Sequence, residues 1–299
     1  MIARFGHDLA AWLLPVNAWT LALLLGALVL DRALQHRALA SLRIALYAPV
    51  VLRVLVPFSW SVPVACLPRL AIVLPADTFS RTSATAASPG ASEYVVLAVA
   101  YGIVALLIAG LSVARRWRLA RALRGSKTLQ LPGPAYPVTT HPELGPMVAG
   151  LWNPRIVLPE GLANGGDPAA LACVLDHEAA HIRRGDPWLS AALDVLLALA
   201  WPVAPLWIAA ARVRNLVELA CDEAALEDAD AAGRLRYGHL LLDLAERLPH
   251  LHPGPAALYF GSKLRARVEA IAHRSHWATS VQWALVACAV VAFAACSSA

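Results

Sequence analysis

Residues 174–181 read Val174-Leu175-Asp176-His177-Glu178-Ala179-Ala180-His181, and residues 218–222 read Glu218-Leu219-Ala220-Cys221-Asp222. Between them, Trp188 to Ala211 is apolar apart from Asp194, with Pro202 and Pro205 inside. The first stretch is an HExxH pattern. On a helix, His177 and His181 lie one turn apart on a single face. Two imidazoles so placed can bind one zinc ion, with Glu178 as general base toward the water that the ion activates. The flanking Leu171, Ala172, Val174, Ala179, Ala180 and Ile182 favour a buried helix.

A catalytic zinc site needs a third protein ligand and an open position. The metzincin solution requires Gly at 184 and His at 187; this chain has Arg184 and Pro187. The ExxxD stretch offers another. Glu218 is the expected third ligand, and Asp222, one turn on, is expected to orient a zinc-bound imidazole through its second ring nitrogen. The bland alternative for ExxxD is a solvated helix face shared with Glu223 and Glu227. Cys221 lies on a different side of the helix from Glu218 and is left out of the ligand set. Asp186, just before Pro187, reads as a cap for the next helix. Tyr237 and His239 are oxyanion-stabilising candidates by chain position alone.

The segment between the motifs constrains the architecture. One membrane crossing between 188 and 211 would set Glu218 across a bilayer from the two imidazoles. Two crossings would need about 40 residues, against the 24 from Trp188 to Ala211. The segment is therefore expected to be re-entrant, to lie at the interface, or to pack against spans.

Working outward, four runs are long and apolar enough to cross about 30 Å of hydrocarbon. They are 9–30, 44–67 (interrupted by Arg53 and kinked at Pro49, Pro57 and Pro63), 94–114 and 277–299. The first reads as a retained span, because no basic leader or A-x-A cleavage site marks it as a signal peptide. Arg32, Arg37 and Arg43 follow the first run. The third run is followed by Arg115, Arg116, Arg118, Arg121, Arg124 and Lys127, with no acid among them. The positive-inside rule then puts both termini outside and the 115–276 segment in the cytoplasm. The fold class expected is a mostly α integral membrane protein, with an α+β zincin-like domain inserted between the third and fourth spans. The domains expected are 1–114, 115–276 and 277–299.

Composition agrees. The 299-residue chain is 59% hydrophobic and 15% charged, with mean hydropathy +0.59. Ordinary soluble domains run near 45–50% apolar and about 25% charged, so a plain soluble enzyme or a disordered chain fits poorly. Net charge is +5, but the basic residues hug apolar runs, which argues against direct nucleic-acid binding. Five scattered cysteines without a CxxC pair argue against a disulfide framework.

These residues resemble the BlaR/MecR family of membrane antirepressor metallopeptidases, which are gluzincins. The resemblance is carried by Val51 to Pro57, Gly150 to Pro159, His177 to Asp186, Ala200 to Trp207 and Glu218 to Glu223. It implies one zinc per chain on His177, His181 and Glu218, with Glu178 as the catalytic base. It also implies a protein substrate, often a winged-helix repressor or the enzyme itself, in a bacterial inner membrane. A strand at Pro154 to Pro159 is expected as a cleft edge that pairs with substrate. The penicillin-binding sensor domain of the antibiotic receptors is not expected in this chain, which has no S-x-x-K motif. A second copy of the chain is left open as a partner. The rival readings are a housekeeping quality-control protease of the membrane and a non-catalytic membrane sensor or scaffold.

Overall fold

The structure, a computed structural model, describes residues 2–35, 38–55, 91–129, 135–142, 144–165, 168–247, 264–265, 267–271 and 284. Helix α1 (Ile2–Leu34) and helix α4 (Ala91–Ala122) contain the first and third apolar runs and extend beyond both. Each is long and apolar enough to cross a membrane. On α4, Val96, Val99, Ile103, Leu106, Leu107, Leu111 and Val113 all point outward. The second run does not begin as one helix. It is split into α2 (Ala40–Ala45) and α3 (Ala48–Leu55). Pro49 accounts for the break, since it lacks an N–H and is tolerated only in a first turn. The rest of that run, from 56, lies outside the described residues, as does nearly all of 277–299.

After α4 come strands β1 (Lys127–Leu129), β2 (Val138–His141), β3 (Met147–Ala149) and β4 (Arg155–Pro159). Their order in the sheet is β1-β2-β4-β3. Strand β4 runs parallel to β2 and antiparallel to β3, pairing Ile156 with both Val138 and Val148. The expected edge strand at 154–159 is therefore an inner strand, because its main-chain groups are shared between two neighbours. Among the described residues, the free edge on that side belongs to β3. The β3–β4 turn depends on Gly150, whose φ is 97°. A Cβ there would lie 2.6 Å from the Asn153 carbonyl oxygen.

The sheet is covered on both faces. Val138, Ile156 and Leu158 pack against Val174 and its helical neighbours Leu171, Leu175, Ala179 and Ile182. Val157 faces the other way, onto Leu119 and Leu123 at the end of α4. Helix α5 (Glu160–Gly165) leads into α6 (Pro168–Arg184), which carries HExxH.

The apolar segment forms a hairpin: α7 (Asp186–Leu199), a short turn, then α8 (Ala204–Ala225). Its tip meets α1, where the Asn17 side chain donates to the Pro202 carbonyl (3.4 Å) and accepts from the Ala204 N–H (3.2 Å). Tyr101 of α4 donates to the Leu199 carbonyl. Lower down, Asp194 accepts from Arg116 of α4 and Arg214 of α8 at 2.6 and 2.8 Å. One core joins α1, α2, α3, α7 and α8 through Val16, Leu24, Ile44, Tyr47, Val50, Leu196, Leu206 and Leu216. Helix α9 (Ala231–Arg247) follows.

Asp31 is the polar centre of this core. It is 0% exposed and accepts from Arg43 (2.6 Å), Tyr47 (2.9 Å) and Arg212 (2.7 and 2.9 Å). Removing one member of a buried ion pair leaves the other charge uncompensated, at about 3–5 kcal/mol. Asp31→Ala strands buried Arg43 and is expected to lower thermal stability by that amount. Arg212→Ala, which leaves Asp31 its bonds from Arg43 and Tyr47, is expected to cost less in the same melting experiment.

Glu223 of α8 ties down the first turn of α2. Both its carboxylate oxygens accept from the Ala40 N–H, at 3.1 and 3.0 Å. Burial pushes this carboxyl from its ordinary 4.5 up to about 7, against the opposing pull of that N–H. The native state then holds the proton between those values while the unfolded chain has lost it, so stability declines as pH rises through that window. Glu223→Gln keeps an acceptor and never ionises. Its melting temperature is expected to match the wild type near pH 4.5 and exceed it at pH 8.

Candidate metal centre

Helix α6 turns two faces to different tasks. Val174, Leu171 and Leu175 fill the sheet-side core, while His177 and His181 project toward α8. The two rings stand edge to face, 4.9 Å between centroids. Glu218, near the far end of α8, reaches between them. Its Oε2 is 3.8 Å from His177 Nε2 and its Oε1 is 3.9 Å from His181 Nε2. One donor atom from each of the three residues lies within 4.8 Å of the other two. These separations are too long for hydrogen bonds. They approach the ~3.4 Å spacing of two donors on a tetrahedral zinc with bonds near 2.1 Å. Two imidazole nitrogens and a carboxylate are also a donor set that suits zinc, so the residues present fit such an ion.

The back of His177 is held firmly. Asp222 Oδ1 lies 3.1 Å from His177 Nδ1. Arg267 grips the same carboxylate with two hydrogen bonds, Nε to Oδ2 and Nη2 to Oδ1, both 2.7 Å. Its Nη1 is also 3.5 Å from Glu218 Oε2. Burial alone would raise the Asp222 carboxyl, but the bonds from His177 and Arg267 hold it down at about 2. Glu218 is also held down at about 2, against its burial, by His177 first and then by the charges of Arg267 and His181 close to it. Both are carboxylates at any working pH. Glu178 is buried, and burial raises its carboxyl pKa.

Two residues reach this centre without a sequence signal that singles them out. Arg267 follows Lys263 and Arg265 in a short basic stretch, and no spacing rule relates it to α8. Asp186 reads as a helix cap, yet no side-chain capping bond forms at the start of α7. Its carboxylate turns to His181 instead, Oδ2 to Nδ1 at 2.9 Å. Cys221 faces this pair and is not part of the His177–His181–Glu218 group.

The oxyanion candidates do not sit where that task needs them. Tyr237 is buried behind His177, with its hydroxyl 3.1 Å from Nδ1 and donating to Asp222 at 2.6 Å. An oxyanion donor must face the Nε2 side, where a scissile carbonyl would lie. His239 lines a separate groove between α9 and residues 268 and 271, with Leu235 and Leu242.

The described residues are mostly helical and bring the HExxH imidazoles and a downstream Glu to one point, with Asp222 behind His177, an arrangement that can hold a metal ion. Residues 11–271 match the family described as BlaR1 peptidase M56, and the chain belongs to that family. Over 97 residues it is 29% identical to "Regulatory protein BlaR1" of Bacillus licheniformis. The matched stretch covers 32% of this chain and 16% of that relative's length.

Tyr237→Phe separates a role behind the ring from one at the oxyanion. Loss of an oxyanion donor costs about 10²–10³ in kcat. Tyr237→Phe is expected to cost less than tenfold in a peptide-cleavage assay, with a stability loss of about 1 kcal/mol for one hydrogen bond.

Proposed function

We propose that this protein is a membrane-embedded zinc endopeptidase with a regulatory role, cleaving a transcriptional repressor or itself. The observation that carries the reading is the convergence of His177 Nε2, His181 Nε2 and the Glu218 carboxylate beside buried Glu178. The regulatory role leans on the name of the BlaR1 relative.

Zinc held by His177, His181 and Glu218 would supply Lewis acidity, polarising the scissile carbonyl and activating water for attack. Glu178 receives the proton of the attacking water and delivers it to the leaving amine. Its raised pKa suits a group that must accept and then give up a proton. Asp222 accepts from His177 Nδ1, which leaves the Nε2 lone pair aimed at the ion. Arg267 keeps Asp222 charged and in place.

Substrate would lie extended along the free edge of β3, the outer strand next to α6, adding a strand by main-chain pairing. This moves the expected pairing edge from Pro154–Pro159 to Met147–Ala149.

In our reading the chain spans the membrane four times, at 9–30, 44–67, 94–114 and 277–299. Both termini lie outside and 115–276 lies in the cytoplasm. The α7–α8 hairpin would be re-entrant. Its tip bonds to Asn17 within the first apolar run and to Tyr101 within the third, which supports insertion between those helices. Trp152 and Trp188 stack edge to face at 4.6 Å and are 83% and 44% exposed, as suits residues at a membrane interface.

The test compares cells expressing wild type and Glu178→Gln by proteomics of new N-termini, with zinc measured on both purified proteins. Glu178→Gln is expected to abolish the new termini and keep about one zinc per chain. His177→Ala or His181→Ala is expected to lose the metal, and Glu218→Ala to weaken it strongly. Cleavage that persists in Glu178→Gln would remove the proposed base. Equal zinc in Glu218→Ala and wild type would remove Glu218 from the site.

A further inference from the structure

The chain leaves α6 at Arg184 and reverses at once. Gly185 has φ 71°, a left-handed conformation that a side-chain-bearing residue rarely adopts. The reversal sets Asp186, first residue of α7, against the helix just completed. Its carboxylate meets the His181 ring on the edge opposite Glu218, with Oδ2 2.9 Å from Nδ1. Asp186 is buried, the Cys221 thiol donates to the same oxygen at 3.3 Å, and Arg184 Nε is 3.5 Å away. A buried carboxylate is costly unless it is paired and hydrogen-bonded. This one is not spent on α7, whose N-cap is Gly185 and whose start shows no side-chain capping bond.

We propose that Asp186 is a positioning residue of the metal centre. It accepts the Nδ1 proton of His181, fixes that tautomer and leaves the Nε2 lone pair pointing at the ion. The assignment rests on His177, His181 and Glu218 being the metal ligands. Each imidazole then has its own carboxylate: Asp222 for His177, Asp186 for His181. Such partners orient the ring and raise its basicity as a ligand, and losing one typically costs 10–100-fold in metal affinity.

A rival arrangement uses the same atoms. His181 Nδ1, Asp186 and Cys221 also lie close enough to hold an ion themselves. The two arrangements demand opposite tautomers of His181. The 2.9 Å between Nδ1 and Oδ2 is a hydrogen-bond length. Two donors sharing a tetrahedral zinc would stand ~3.4 Å apart. The geometry thus favours a proton between them.

The experiment uses the full chain purified in detergent, with zinc affinity measured by chelator competition. Asp186→Ala is expected to weaken zinc 10–100-fold. Asp186→Asn, which still accepts the Nδ1 proton but carries no charge, is expected to lose less. Its metal-free melting temperature is expected to stay at the wild-type value, and its cobalt(II)-loaded form to shift the visible absorption bands. Cys221→Ala is expected to bind zinc like the wild type. Wild-type zinc affinity in both Asp186 variants overturns the assignment. So does an Asp186→Asn protein whose metal-free melting temperature falls while its zinc affinity holds, since that marks a purely structural residue. If Asp186→Ala does not fold, Asp186→Asn decides alone. Zinc retained in Glu218→Ala but lost in Cys221→Ala sinks the underlying ligand set instead, and is read separately.

Discussion

His177 and His181 on one helix and Glu218 on another converge on one point, although the chain that joins those helices is apolar. That convergence shapes the middle of the molecule. The path from His181 to Glu218 has to go out and come back, and α7 and α8 form the hairpin that does so. Its inner faces contribute Leu193, Leu196, Leu206, Ala209 and Val213 to a shared core. Its two ends return to the metal centre. The first residue of α7 touches His181, and the last third of α8 supplies Glu218 and Asp222.

Polar contacts then decide where the hairpin sits. If α1 and α4 lie in lipid, apolar burial between helices gains little over lipid contact, and hydrogen bonds carry more of the specificity. The contacts fall at distinct levels along α1: Asn17 at the tip and Asp31 toward the far end. Asp31 is met by donors from two other elements, Arg43 and Tyr47 in the α2–α3 region and Arg212 on α8. A carboxylate with that many charged and neutral donors is fully satisfied, so it specifies one arrangement of the three elements.

Much of this is legible in the sequence, for reasons that can be named. His177 and His181 share a face because the helical period puts them there, and Glu218 and Asp222 share one for the same reason. The return of 188–211 follows from its length once Glu218 is expected to meet the two imidazoles. Other features depend on contacts that no local pattern encodes. Asp186 looks like a cap because its neighbour is Pro187; only the left-handed turn at Gly185 sends it back to His181. Tyr237 reaches the back of His177 because α9 docks there, which chain position does not reveal. Arg267 arrives from a segment 45 residues beyond Asp222. Strand β4 reads as an edge until its parallel partner β2 is known. The second apolar run looks continuous, yet it breaks at Leu46 and Tyr47, where the chain turns to bring the Tyr47 hydroxyl to Asp31.

Helix α8 binds these observations together. It is one unbroken helix of 22 residues. Along it stand Ala204, bonded to Asn17; Arg212, paired with Asp31; Glu218, facing both imidazoles; Asp222, gripped by Arg267; and Glu223, fastened to the start of α2. An α-helix rises 1.5 Å per residue and resists compression, so these attachment points have fixed separations. Glu218 therefore cannot take a position independent of α1 and α2. Its distance from His177 and His181 is set from one side by the sheet and α6, and from the other by the buried charges at Asp31 and Arg43. In the metal-binding reading proposed above, one ligand pair is anchored to the sheet and α6 and the third ligand to the apolar helices, so the quality of coordination depends on both frames holding their places.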